Sequence, residues 1–165
     1  MGSGPEDHDG LAEPVGRLVA ELGANLLTGG GRGVMATVSR AFCATPGRLG
    51  HSIAVLPARE DDPLCAPRPG YPNPWVEIAI RTHLPLSSDR GTEVLSRNHI
   101  NVLSSDAVVA LPGGAGTASE TRLALRYERP LLAFLGVGGE IDGLAPGVPI
   151  ARSIREVEDF LRSVL

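Results

Sequence analysis

A glycine-rich stretch behind an apolar run offers the clearest chemistry in this sequence. Residues 106–111 predict a core strand, and residues 112–120 read Pro-Gly-Gly-Ala-Gly-Thr-Ala-Ser-Glu before a helical pattern begins. Glycines let the main chain approach a phosphate, and the free N–H groups at a helix start point toward an anion. Thr117 adds a hydroxyl donor. Glu120 is expected in the first helical turn, where its carboxylate would face a part of the ligand other than the phosphate, such as a sugar.

Another glycine loop follows a predicted strand nearer the start of the chain; in chain order it is the first glycine loop, and residues 112–120 form the second. The strand covers 24–28, a helical pattern covers 34–44, and the loop between them contains Gly29, Gly30, Gly31 and Gly33. Ligands of parallel sheets bind at the carboxyl ends of the strands, so we expect both glycine loops to face one cleft.

Arg97 is the next candidate, because it lies on a predicted helix at 89–104 that leads into the strand before Pro112. Helical spacing places Arg97 and Asn101 on one face, with Asn98 adjacent. Spacing alone also allows a solvated arginine on a surface helix. Tyr71 and Trp75 could form a wall for a flat ring, although core packing is the alternative for Trp75.

The elements that must position these residues alternate along the chain. Strands are predicted at 24–28, 52–56, 75–80, 106–111 and 131–135, between helices at 11–22, 34–44, 89–104, 121–127 and 153–165. This order predicts an α/β fold with a Rossmann-like, doubly wound parallel sheet covered by helices on both faces. Long loops are expected at 57–74 and 136–149. The 165 residues fit a single domain spanning 1–165.

Composition excludes several classes of function. The net charge of −4 provides no basic face for nucleic acid, and no apolar run reaches the roughly 20 residues that span a membrane. Cys43, Cys65 and the histidines show no metal-ligand spacing, so we expect no metal, no resident cofactor and a cytoplasmic location. All 15 basic residues other than histidine are arginines, which excludes a pyridoxal phosphate lysine and a P-loop lysine.

Two stretches together resemble the Lonely Guy (LOG) family of phosphoribohydrolases, often labelled lysine decarboxylases. They are Arg-Asn-His-Ile-Asn at 97–101 and the strand with its glycine loop at 105–120. The loop at 29–35 is similar to that family's Gly-Gly-Gly ahead of Gly-Leu-Met, one residue shorter. The resemblance implies hydrolysis of a nucleoside 5′-monophosphate to free base and ribose 5-phosphate, with Glu120 and Arg97 as the catalytic pair. It implies a set of ligand-binding residues: Gly29, Gly30, Gly31, Gly33, Met35, Asn98, Asn101, Pro112, Gly113, Gly114, Gly116 and Thr117.

Some positions depart from that pattern and are more similar to molybdenum cofactor carrier proteins. Asn98 stands where LOG enzymes have lysine, and Asn101 lies three residues further on. The segment from 57 to 97 is longer than in LOG enzymes. This second resemblance implies a phosphorylated pterin, the molybdopterin cofactor, as a bound ligand without turnover. The retained spacing of Arg97 and Glu120 favours the enzyme. A nucleotide sensor is a third possibility.

The resemblance also bears on the start of the chain and on assembly. Members of the family complete a first strand before the position of Met1, so the first strand is expected to be missing or truncated. Residues 1–10 are expected to be disordered or derived from an expression vector. A homo-oligomer, a dimer or a tetramer, is implied.

Overall fold

Short parallel strands alternate with helices in the computed structural model, which describes residues 8–62 and 64–165. Residues 1–10 were expected to be disordered or derived from an expression vector. For residues 1–7 this expectation lies outside the described residues, whereas Asp9 and Gly10 belong to the first helix. The helices are α1 (Asp9–Glu21), α2 (Val34–Ala44), α3 (Asn98–Leu103), α4 (Ala115–Arg126) and α5 (Ile154–Val164), with a 3₁₀ turn at Ser88–Arg90. The strands are β1 (Leu26–Thr28), β2 (Ser52–Leu56), β3 (Ile78–Arg81), β4 (Val108–Ala110), β5 (Leu131–Phe134) and β6 (Ile150–Ala151).

All strand pairs among the described residues are parallel, which confirms the predicted α/β class and Rossmann-like arrangement. The strands form two sheets of three, in the orders β1-β2-β3 and β4-β5-β6. Leu27 pairs with Ile53 in the first sheet, and Val109 pairs with Leu132 in the second. Because the strands of each sheet are parallel, their carboxyl ends lie along the same edge of that sheet.

A cavity of about 580 Å³ lies between the two sheets. Its lining includes Leu27 of β1 and Val109 of β4, which are strands at the adjoining edges of their sheets. Helices α1, α2 and α5 contribute Val15, Val38 and Leu161 to the same lining.

Helices α1 and α2 pack closely against each other. A Cβ atom added at Gly16 of α1 would collide with the carbonyl oxygen of Val38 and lie 3.0 Å from the backbone nitrogen of Phe42. Phe42 is fully buried in the core that these helices share with α5. A second core cluster surrounds Leu123 of α4 and the second sheet. The two clusters hold the helix starts in fixed positions at the sheet edge.

The prediction of one helix over 89–104 is wrong, because the structure has only the 3₁₀ turn and the six-residue α3 in that range. The carbonyl oxygen of Leu95 accepts a hydrogen bond from the backbone nitrogen of Leu86 at 3.2 Å, and Leu86 forms a parallel bridge with Ser96. These contacts, between residues nine and ten positions apart, replace the local bonds that a helix would need. The side chain of Val94, within the same range, is exposed.

Two strand predictions also change. The predicted strand 75–80 begins only at Ile78, because the backbone nitrogen of Trp75 donates to Asn73 Oδ1 at 3.0 Å and holds a turn there. The strand β6 lies just beyond the predicted 136–149 loop, where no strand was expected. The final helix is confirmed, and Ser153 and Glu156 form a capping box at its start.

Candidate functional site

The second glycine loop connects β4 to α4, as predicted. Helix α4 begins at Ala115 after Gly114, with no acidic residue in its first turn. The expectation that Glu120 lies in that first turn is wrong, because the helix starts inside the glycine motif, earlier than the helical pattern after Glu120 suggests, and Glu120 is its sixth residue. Gly114, Ala115 and Gly116 line an open cleft, so the start of the helix faces a space that an anion could occupy.

Three predicted residues of this loop lie behind the cleft rather than in its lining. The backbone nitrogen of Gly113 donates to the carbonyl oxygen of Glu140 at 3.2 Å. The ring of Pro112 packs close to Gly139, since a Cβ added there would lie 2.9 Å from Pro112 Cγ. Thr117 is fully buried. These residues hold the loop, and any contact they make with a ligand stays a prediction.

The first glycine loop closes against the long loop at 57–74. The carbonyl oxygen of Gly30 accepts from the backbone nitrogen of Asn73 at 2.8 Å, and that of Gly31 accepts from Asn73 Nδ2 at 2.9 Å. Gly30 and Gly33 have positive φ angles of 74° and 62°, which favour glycine. Helix α2 starts immediately after Gly33. The sequence provided no signal for this docking, because it depends on one asparagine in a loop rich in proline.

Arg97 and Glu120 form a buried ion pair beside both loops. Arg97 is 5% exposed and Glu120 is 8% exposed, and Arg97 Nη1 lies 3.6 Å from Glu120 Oε1. A Cβ atom added at Gly29 would collide with the Arg97 guanidinium, at 2.6 Å from Nη1, so the arginine lies directly against the first glycine loop. The predicted pair is therefore brought together, and the alternative of a solvated surface arginine is wrong.

Two asparagines extend this buried polar cluster. Asn101 Nδ2 lies 3.5 Å from Glu120 Oε1, while Asn98 lines the cleft beside Arg97. Among the described residues, the Oδ1 atoms of both asparagines and the Nε and Nη1 atoms of Arg97 have no hydrogen-bond partner. Buried polar atoms without partners are rare, so this cluster has unused capacity for hydrogen bonds with a ligand.

The cleft has a volume of about 700 Å³, which is within the range of small-molecule sites. Its lining combines one carboxylate, Glu120, with the guanidinium groups of Arg32, Arg68 and Arg97. The resulting excess of positive charge favours an anionic ligand. Within the described part of the chain, no group of three or more His, Cys, Asp or Glu side chains could hold a metal ion.

Predicted and unpredicted residues together complete the walls of the cleft. Tyr71 and Met35 were predicted and belong to its lining, whereas Ser87 and Ser88 were not predicted. The Tyr71 hydroxyl lies close to the first glycine loop, since a Cβ at Gly31 would be 2.9 Å from it. Trp75, the other aromatic candidate, is 41% exposed and does not line the cleft. Tyr71 and Trp75 were predicted to form an aromatic wall for a ring, but only Tyr71 lines the cleft.

Comparison with known proteins places this arrangement in a family. A model of the SLOG cluster4 family matches residues 1–146. The chain belongs to the SLOG cluster4 family. This match confirms the predicted resemblance to LOG-like proteins. Solved structures of molybdenum cofactor binding and carrier proteins are similar to this chain, as the second resemblance predicted.

Two of those structures cover nearly the whole chain. The molybdenum cofactor binding protein of Rippkaea orientalis is 28% identical with a TM-score of 0.69, over 98% of this chain and 90% of that one. The molybdenum cofactor carrier protein of Chlamydomonas reinhardtii is 26% identical with a TM-score of 0.69, over 99% and 94%. An uncharacterized protein of Archaeoglobus fulgidus is 36% identical over 116 residues, 70% of this chain and 63% of that protein. The chain thus matches less than two thirds of that relative.

No helix in the described ranges has the length and apolar character needed to cross a membrane.

Proposed function

We propose that the cleft binds a small molecule that combines a phosphate with a flat heterocycle, and that a phosphorylated pterin such as molybdopterin is its ligand. The observation that carries this proposal is the buried Arg97 guanidinium, which faces the cleft. Its Nε and Nη1 atoms have no hydrogen-bond partner among the described residues, although Nη1 forms the ion pair with Glu120. A buried cation with unused donors is costly unless a ligand supplies acceptors. The solved cofactor-binding and carrier proteins, at 26–28% identity, support the pterin.

The phosphate is proposed to lie at the start of α4. Helix geometry leaves the N–H groups of the first two residues of α4 without an intrahelical acceptor, whereas that of Thr117 donates to the Gly114 carbonyl oxygen. The helix dipole adds partial positive charge at the same end. Gly114 and Gly116 line the cleft at this end, and their lack of side chains allows close approach of the phosphate oxygens. The heterocycle then extends toward Tyr71 and Met35, where a polarizable thioether and an aromatic ring provide contact area.

Hydrolysis of a nucleoside 5′-monophosphate is the second candidate, favoured by the position of Glu120. Its carboxylate lines the cleft five residues after Ala115, which opens α4, so a ribose attached to a phosphate at the helix start would lie near it. Water would attack C1′, and the C1′–N bond would break to release base and ribose 5-phosphate. Glu120 would orient and deprotonate the water while stabilising the positive charge on the sugar. Arg97 would act as a positioning residue for Glu120.

Binding and release assays on one set of proteins separate the two candidates. Molybdopterin and AMP are titrated into the wild type and Glu120→Gln by calorimetry, and free base and ribose 5-phosphate are followed by chromatography. A carrier binds molybdopterin and releases no base from AMP. A hydrolase releases base, and Glu120→Gln lowers the rate by roughly 10²- to 10⁴-fold while AMP still binds. Failure of both compounds to bind contradicts the proposed function.

Assembly into a dimer or a tetramer is proposed as well. Ile78 and Ile80 lie on β3, a strand at the outer edge of its sheet, and each is more than 40% exposed. Apolar side chains on an open sheet edge support contact with a second copy. Light scattering after size-exclusion chromatography gives the mass directly, and a monomer at 17.2 kDa at micromolar concentration contradicts this proposal.

A further inference from the structure

The cavity between the two sheets is a different space from the cleft that binds the proposed ligand. The two linings share one described residue, Met35 of α2. The cleft lies beyond the carboxyl ends of the strands, whereas the cavity lining includes residues 23–25 ahead of β1 and 104–107 ahead of β4. Ser104 and Asp106 are exposed, so the cavity reaches the surface at the amino ends of these strands.

The cavity has an apolar lining on both sides of the sheet plane. Helices α1 and α2 contribute Val15 and Val38. The first sheet contributes Ile53, Val55 and Ile80, which lie on one face because Val55 pairs with Ile80 and Ile53 is two residues before Val55. An apolar cavity of about 150 Å³ stays dry and binds benzene, and this one, at about 580 Å³, is about four times as large. Because lost packing increases with cavity volume, the lining favours an apolar occupant over water.

The backbone of β1 indicates the shape of that occupant. The backbone nitrogen of Leu26 donates to the carbonyl oxygen of His51 at 3.0 Å, toward β2. Successive residues of a strand direct their N–H and C=O groups to opposite sides, so those of Leu27 point away from β2. Leu27 lines the cavity, and β1 has no strand neighbour on that side in the described part of the chain. Such a strand edge is a template for another extended chain.

We propose that the cavity receives an extended apolar segment of a partner polypeptide, which adds to β1 as a strand. Its backbone pairs with that of Leu27, and its side chains fill the space toward α1, α2 and β4. Parallel pairing continues the arrangement of the first sheet. A parallel strand is buried on both faces, so the segment is a short continuous run of Val, Ile and Leu.

Charge at the opening adds one further requirement for the partner. Asp106 is the only charged side chain in the lining among the described residues. In a parallel orientation the amino end of the added strand lies at the amino ends of β1 and β4, beside this carboxylate. A lysine or arginine immediately before the apolar run therefore matches the opening.

Fluorescence anisotropy tests this with the peptide Arg-Lys-Val-Ile-Val-Val-Gly, labelled at its amino end. Two matched peptides carry N-methyl groups on alternate residues of the apolar run, one on each alternate set, which removes N–H donors but keeps length and apolar character. We expect the unmodified peptide to bind at micromolar concentration. At least one methylated peptide is expected to bind about tenfold or more weakly, because strand pairing requires the donors on one side.

Variants of the protein locate the binding. Asp106→Lys changes an exposed residue and is expected to weaken binding about two- to fivefold at low salt. Its matched control is Asp159→Lys, an exposed position on α5, which leaves the affinity unchanged. Val109→Trp places a large ring in the cavity and is expected to weaken binding about tenfold or more, with circular dichroism as the check that it folds.

Three results overturn the proposal. Equal affinity for all three peptides shows that apolar contact alone accounts for binding, without strand pairing. Absence of binding up to roughly millimolar peptide, or equal binding by the wild type and Asp106→Lys, removes the site or its opening. A dimer of the free protein that the peptide dissociates assigns the cavity to a second copy of this chain and excludes a separate partner.

Discussion

Replacing Arg97 with methionine tests whether the buried ion pair stabilises the fold. Methionine keeps much of the side-chain length but removes the charge, so Glu120 remains buried without its partner. Two unit charges separated by the observed 3.6 Å attract by about 4.6 kcal/mol at an effective dielectric constant near 20. Breaking a buried pair on one side costs about 3–5 kcal/mol. For a chain of this size the melting temperature is expected to fall by about 6–20 °C.

A double-mutant cycle separates the pair from other effects of the substitution. Arg97→Met and Glu120→Gln are measured singly and together, because the double variant leaves neither charge alone in the interior. We expect the double variant to be more stable than the sum of the single losses implies, by about 2–3 kcal/mol. The matched control is Arg162→Met, whose exposed partner Glu158 lies 2.9 Å away and whose pair is worth about 0–1 kcal/mol.

Urea denaturation followed by circular dichroism gives the free energy of unfolding for all five proteins. The reasoning is refuted if the two single losses simply add in the double variant, since the charges would then be uncoupled. It is refuted equally if Arg97→Met costs no more than Arg162→Met. In that case the burial of Arg97 would contribute packing but no electrostatic stabilisation.

Three further predictions concern the segments that support the cleft. Asn73→Ala leaves the Gly31 carbonyl without its partner, so we expect a loss of about 1–3 kcal/mol and faster proteolysis within 57–74; unchanged cleavage contradicts this. The pKa of Glu77 is lowered by the hydrogen bond from Arg48, so its contribution is present above the ordinary carboxyl pKa of about 4.3 and is lost as pH falls through the lowered value. Melting curves of Glu77→Gln and wild type should therefore differ at pH 7 and converge in acid; a constant difference refutes the assignment. Ser153→Ala removes the cap of α5 and should cost about 1 kcal/mol in urea unfolding, whereas no loss would show that the cap is dispensable.

The sequence predicts those parts of the cleft that depend on local chemistry. Glycines after an apolar strand and before a helical pattern have few other structural explanations, and both loops lie where they were expected, before α2 and α4. The approach of Arg97 to Glu120 followed from resemblance rather than from helical spacing. Spacing assigned Arg97 to a long helix, whereas the residue precedes the short α3.

Contacts between distant segments account for what the sequence did not predict. Arg68 reaches Ser87 across 19 residues of sequence, and Asn73 reaches Gly31 across 42 residues. Neither contact has a periodic or compositional signature, because each depends on one side chain in an irregular loop. The roles of Arg32 and Arg68 in the charge of the cleft could therefore be read only after the loops were placed in space.

The separation of the strands into two sheets has a consequence for how the protein unfolds. Gly29 follows β1 of the first sheet and Glu120 lies on α4 of the second, and Arg97 contacts both. A ligand at this junction would add contacts between the two sheets, which share the core around Phe42 and border a cavity of about 580 Å³. We therefore expect saturation with ligand to raise the melting temperature and to sharpen the calorimetric transition. Ligand binding would then be measurable as a gain in cooperativity as well as in melting temperature.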